Sequence, residues 1–75
     1  MNNAFVQRQA RHFAGRLKSE AGDDGRAQIR LAWRLAFGRE PRREETKGAI
    51  TLVREHGLES LCWALLNSSE FLYVR

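Results

Sequence analysis

Seventy-five residues, 43% hydrophobic and 29% charged, describe one small globular domain, too short for a second core and too apolar for a disordered chain. Eleven arginines and two lysines against nine acids leave a net charge of +4, an excess that favours polyanions without requiring one and is read first as a solvated basic face. The single cysteine, Cys62, excludes an internal disulfide, a four-cysteine zinc site and a two-cysteine haem attachment.

Residues 4–20 place Val6, Ala10, Phe13, Ala14 and Leu17 on one side of a 3.6-residue period, with Phe5 at its margin and Arg8, Arg11 and Lys18 opposite. That spacing predicts an amphipathic helix. Asn2 or Asn3 can cap its start, Gly22 supplies a left-handed stop, and Gly15 on the polar side weakens its middle slightly.

Asp23 and Asp24 can cap a second helix over residues 25–37, because a carboxylate there accepts bonds from the orphan N–H groups of the first turn. Ile29, Leu31, Ala32, Trp33, Leu35, Ala36 and Phe37 cover most of its circumference, leaving Arg26, Arg30 and Arg34 as a narrow charged strip. Such a wide apolar arc predicts a central helix with neighbours on two or three flanks.

Gly38 ends the second helix, and Pro41 forbids its continuation by lacking an N–H and disfavouring a helical Glu40. A third helix is expected over 43–56, with Thr46, Ala49, Ile50, Leu52 and Val53 inward, Glu44 and Glu45 in the favourable first turn, and Gly57 as its end cap. A fourth follows over 58–67, its stripe formed by Leu58, Leu61, Cys62, Leu65 and Leu66, with Trp63 toward the edge. Ser68 or Ser69 can cap a final short turn carrying Phe71, Leu72 and Tyr73, although an extended tail suits those residues equally. The fold class is therefore all-α: a single module of about four short helices, with antiparallel or orthogonal neighbours joined by short loops. Its expected core is Phe13, Leu17, Ile29, Ala32, Trp33, Ala36, Phe37, Ile50, Val53, Leu61 and Leu65.

The run Ile29-Arg30-Leu31-Ala32-Trp33-Arg34-Leu35-Ala36-Phe37-Gly38-Arg39-Glu40-Pro41, followed later by Leu65-Leu66-Asn67-Ser68-Ser69-Glu70-Phe71-Leu72-Tyr73-Val74, resembles the end of one family. It is the planctomycete-type, cytochrome-associated family called domain of unknown function 1553. Asn3-Ala4-Phe5-Val6, Gln9-Ala10-Arg11 and Phe13-Ala14 with Arg16-Leu17 resemble the stretch that precedes that family's central helix. The resemblance implies a long, usually exported parent, often joined to cytochrome-type domains, of which this chain is the carboxy-terminal segment and in which Met1 falls at an internal position. It assigns no activity. The family pattern usually has Thr or Ser after the proline, where this chain has Arg42 and so lacks a capping hydroxyl. A weaker resemblance, to helical repeats of bacterial surface proteins and phycobilisome linkers, rests on the Gly38 to Pro41 turn and the Asn67-Ser68-Ser69-Glu70-Phe71 ending.

The sequence yields no complete chemical motif. His12, His56 and Cys62 are donors suited to zinc but lack the short spacings that pre-organise a site, so no metal or cofactor is expected; Cys62 is read as a buried small hydrophobe and His56 as a last-turn residue suited to the helix dipole. Ser68, Ser69 and Cys62 have no base placed beside them, there is no Gly-x-Ser-x-Gly elbow, and Glu44 and Glu45 point about 100° apart as adjacent helical residues. No catalytic residue is assigned, and the chain is read as a non-enzyme. Residues 53–66 can be drawn as helix, glycine turn, helix, but the second helix offers Glu59, Ser60 and Trp63 outward and no arginine, so a nucleic-acid-binding helix-turn-helix is only the alternative.

The preferred expectation is a structural or docking module. Its partner would be the upstream part of its parent, another helical protein or a second copy, with Trp63, Tyr73 and Phe71 as interface anchors. No apolar run approaches the roughly 18 residues of a membrane span, so no membrane partner is expected. The start of the chain opens no signal-peptide pattern, because Arg8 and Arg11 soon interrupt its apolar residues.

Overall fold

The computed structural model, which describes residues 3–68, contains four α-helices and, among those residues, no strand. They are α1 (Ala4–Ala21), α2 (Gly25–Phe37), α3 (Arg43–His56) and α4 (Leu58–Leu66). Each helix packs on its sequence neighbour, α4 also reaches α2, and the most extensive contact, α1 against α4, closes the bundle. The radius of gyration, 11.2 Å, equals the value of about 11 Å expected of a compact chain of this length.

The ends of the helices follow from their capping chemistry. Asn3, rather than Asn2, starts α1: its Oδ1 accepts the Val6 N–H at 2.9 Å. Asp24 starts α2, its Oδ1 accepting the N–H groups of Arg26 and Ala27 at 3.1 and 3.2 Å. Gly22, Gly38 and Gly57 follow the three longer helices, each at positive φ and each donating its N–H to a carbonyl four residues back. Gly57 alone joins α3 to α4, at φ 96° and ψ 162°, a backbone region open essentially only to glycine.

Helix α1 buries Val6, Ala10, Ala14 and Leu17 and leaves Phe5 61% exposed. Helix α2 buries Ile29, Ala32, Trp33, Ala36 and Phe37, with the Trp33 and Phe37 rings edge to face at 5.8 Å. It meets α1, α3 and α4, as its wide arc implies. The most extensively packed helix, however, is α4: only nine residues long, it buries Leu58, Leu61, Cys62 and Leu65 between α1 and α3. Among the described residues, one buried residue is polar. Gln28 donates from Nε2 to the carbonyl of Gly22, tying the turn before α2 to that helix.

The expected core differs in three places. Phe13, Ile50 and Val53 are half-buried residues packed against the core rather than inside it. Ala49 is the only buried residue of α3, whose Ile50, Leu52 and Val53 remain partly open. Of the other helices it meets α4 and α2 and not α1.

Candidate functional site

Where α1 meets α4, the buried Ala10 lies beside an open groove. Gln7, Ala10, Glu59, Ser60 and Trp63 line about 340 Å³ of it. Trp63 is half-buried. Its carbonyl accepts a hydrogen bond from Nδ2 of Asn67 at 2.8 Å, which caps the last turn of α4. Ser60 donates from Oγ to the carbonyl of His56 at 3.0 Å, so this wall of the groove is anchored across the Gly57 corner. Arg11 and Glu59 face each other at 3.9 Å with both side chains more than half exposed. An ion pair so solvated contributes little.

An indole face, an amide, a hydroxyl and a carboxylate in a groove this open suit contact with another side chain or helix. They do not enclose a small molecule, for which sites are deep and bury most of the ligand. Of the expected anchors, Trp63 is placed on this groove, while Phe71 and Tyr73 lie outside the described residues, as does the final turn expected beyond Ser69.

The titratable residues are dispersed. His12 is exposed on α1, His56 is exposed at the end of α3, and Cys62 is fully buried in α4; among the described residues no three His, Cys, Asp or Glu side chains come together as a metal set. Burial, assisted by the nearby negative charge of Glu59, pushes the Cys62 thiol up to about 12, so at neutral pH it is not a thiolate nucleophile.

Glu44 is exposed, whereas Glu45 belongs to a clamp across the α2–α3 joint. Arg39 donates from Nη1 and Nη2 to its two carboxylate oxygens at 2.8 and 2.9 Å, and the Arg42 N–H donates to Oε1 at 2.8 Å. The guanidinium of Arg39 also lies 5.6 Å from the centre of the Phe37 ring. The Arg39 hydrogen bonds, then that from the Arg42 backbone, hold the Glu45 carboxyl at about 2, against the opposing effect of partial burial. Glu45 thereby satisfies an orphan N–H at the start of α3 from the third position of the helix, where Arg42 carries no capping hydroxyl. This clamp was not read from the sequence. Its one signal was an acid in a first turn following an arginine and a proline.

Helix α4 buries Leu58, Leu61, Cys62 and Leu65, exposes Glu59 and Ala64 and leaves Ser60, Trp63 and Leu66 half-buried, so the second helix of the unit formed by α3, Gly57 and α4 turns no arginine outward. No helix of the described residues is long and apolar enough to cross a membrane. Comparison with protein-family models, with curated proteins and with solved structures finds no match to this chain.

Proposed function

We propose that the chain is a non-catalytic docking module that presents the α1/α4 groove, with Trp63 as its anchor, to a helical partner. The observation that carries this reading is a half-buried tryptophan lining an open groove, while the other tryptophan, Trp33, is taken up by the core. Large amphipathic rings in such positions are the residues on which interfaces concentrate their energy, and an open groove between helices suits the apolar side of a third. The resemblance to the end of domain of unknown function 1553 supports the upstream portion of a longer parent as the partner, and the same groove can take a second copy of the chain.

The test is light scattering behind size exclusion on the wild type and Trp63→Ala, with a circular-dichroism melt of each, repeated with a parent polypeptide containing the upstream portion. Association that Trp63→Ala abolishes while helix content and melting stay intact supports docking. Loss of the fold on that substitution, or association indifferent to it, would assign Trp63 to the module's own packing and overturn the proposal.

A further inference from the structure

The exposed side of α2 carries a second surface, independent of the groove. Arg26, Arg30 and Arg34 recur every four residues and are all exposed; at about 1.5 Å per residue they form a row about 12 Å long. Because Gln28, Ile29, Ala32, Trp33, Ala36 and Phe37 of the same helix are buried, the row is held by a packed backbone. Among the described residues, one carboxylate answers two of the three charges. Glu40 lies 3.9 Å from Arg30 and 3.7 Å from Arg34, beyond hydrogen-bonding distance from both, and Arg30, Arg34 and Glu40 are each more than half exposed. The nearest acid in the chain to Arg26, Asp24, is engaged in capping the helix. The forks of three guanidiniums are thus left available along a rigid line with an excess of two positive charges.

We propose that this arginine row binds the phosphate backbone of a nucleic acid, without reading its sequence. A straight row of like charges fits a polymer with regularly spaced phosphates, and the planar fork of arginine matches phosphate in a way that the ammonium of lysine does not. Binding to an anionic membrane is the poorer fit, because a helix that lies in a membrane surface inserts an apolar face, and that of α2 is taken up by the core, with Ile29, Ala32, Trp33, Ala36 and Phe37 inside it and Leu31 and Leu35 packed half-buried against it. No base readout is proposed: the exposed side chains of α2 are its three arginines, and Leu31 and Leu35 beside them are half-buried against the core.

The experiment is fluorescence anisotropy of a short labelled duplex DNA and of a single-stranded RNA, titrated with the wild-type chain over a series of salt concentrations. Three variants are compared, with helicity verified for each: R26Q/R30Q/R34Q; a control, R8Q/K18Q/R54Q, which removes the same charge elsewhere; and Glu40→Gln. The row variant is expected to weaken binding at least about tenfold at low salt and to reduce the salt slope by roughly 2 to 3, near one for each lost phosphate contact. The control should shift affinity far less, and Glu40→Gln should tighten binding by freeing Arg30 and Arg34. Absence of saturable binding at low salt, an equal loss in the control, or equally tight binding to anionic vesicles or an acidic peptide with the same arginine dependence would overturn the proposal. Trp63→Ala should leave this binding intact, which separates its failure from that of the groove.

Discussion

Arg39 and Glu45 meet across Pro41 as a two-bond fork, Nη1 to Oε1 at 2.8 Å and Nη2 to Oε2 at 2.9 Å. The pair is about a quarter exposed, so its contribution, after screening by water, is about 1 kcal/mol. Because the folded carboxyl titrates at about 2 rather than at its ordinary 4.5, that contribution is complete above pH 4.5 and is lost as the pH falls toward 2. Glu45→Gln should lower the melting temperature by about 4–8 °C at neutral pH. Melts of both proteins in an acid series should converge below pH 4.5; a difference that persisted at the acid end would mean that the ion pair is not its source.

Three glycines with open space around them should respond to alanine with opposite signs. A Cβ at Gly15, Gly48 or Gly57 would meet nothing within 4 Å. Gly15 and Gly48 lie inside α1 and α3, so alanine there should stabilise by about 0.5–1 kcal/mol through the entropy of the unfolded chain. Gly57 has φ 96°, and alanine should cost about 1–3 kcal/mol from the backbone alone. Urea titrations of the three single variants measure both signs.

Cys62 should be silent to thiol reagents in the folded chain. Its sulfur is enclosed and its proton held to about 12, so reaction with a disulfide reagent should proceed only through opening, at a rate that increases with urea in step with unfolding. Cys62→Ser should cost about 1–3 kcal/mol by burying a hydroxyl in an apolar site. Fast labelling in native buffer would show that α4 opens locally.

The two tryptophans should separate under a neutral quencher. Trp33 is 6% exposed and Trp63 half-buried. Trp33→Phe leaves only the groove indole and Trp63→Phe only the core one. Acrylamide should quench the first severalfold more strongly, and a docked helix should protect it. Equal quenching of the two would place Trp63 deeper than the groove geometry does.

Leu17→Ala should remove about 2–5 kcal/mol, a large part of the roughly 4–11 kcal/mol that a chain of this length can hold, since Leu17 is completely enclosed. A differential scan in which the variant still melted cooperatively near the wild-type temperature would contradict the packing of α1.

Helix positions were legible because their signals are local. Asn3, Asp24, Gly38 and Pro41 act within one turn of where they stand, and all four helices start at the residues the spacing predicts, with α1 ending one residue later and α4 one earlier than expected. What the wheel could not show was how many neighbours each face receives. The wide arc of α2 suggested the central helix, whereas short α4 packs more extensively, and Ile50 and Val53 read as core but only pack against it, on a helix that meets α2 and α4 and not α1. Gln28 was missed because its burial depends on a carbonyl, that of Gly22, six residues earlier. The clamp of Glu45 by Arg39 spans the same separation around a proline, outside the three- and four-residue spacings that helical patterns reveal. Of the candidate site, Trp63 was legible as an edge residue, while the groove beside it required the packing of Ala10 on α4.

The closing contact of α1 on α4 sets the order in which the chain can acquire its shape. Its two halves are separated by roughly 40 residues, which a ribosome takes about 2–8 s to add. During that interval α1 gains α2 as a neighbour but lacks α4, its main partner, and Ala10, Ala14 and Leu17, buried in the finished bundle, wait with apolar surface bare. Folding therefore cannot be completed from the amino terminus onward. It is deferred until α4 has emerged, which makes the nascent chain, rather than the finished one, the form most exposed to chaperones and to unwanted association.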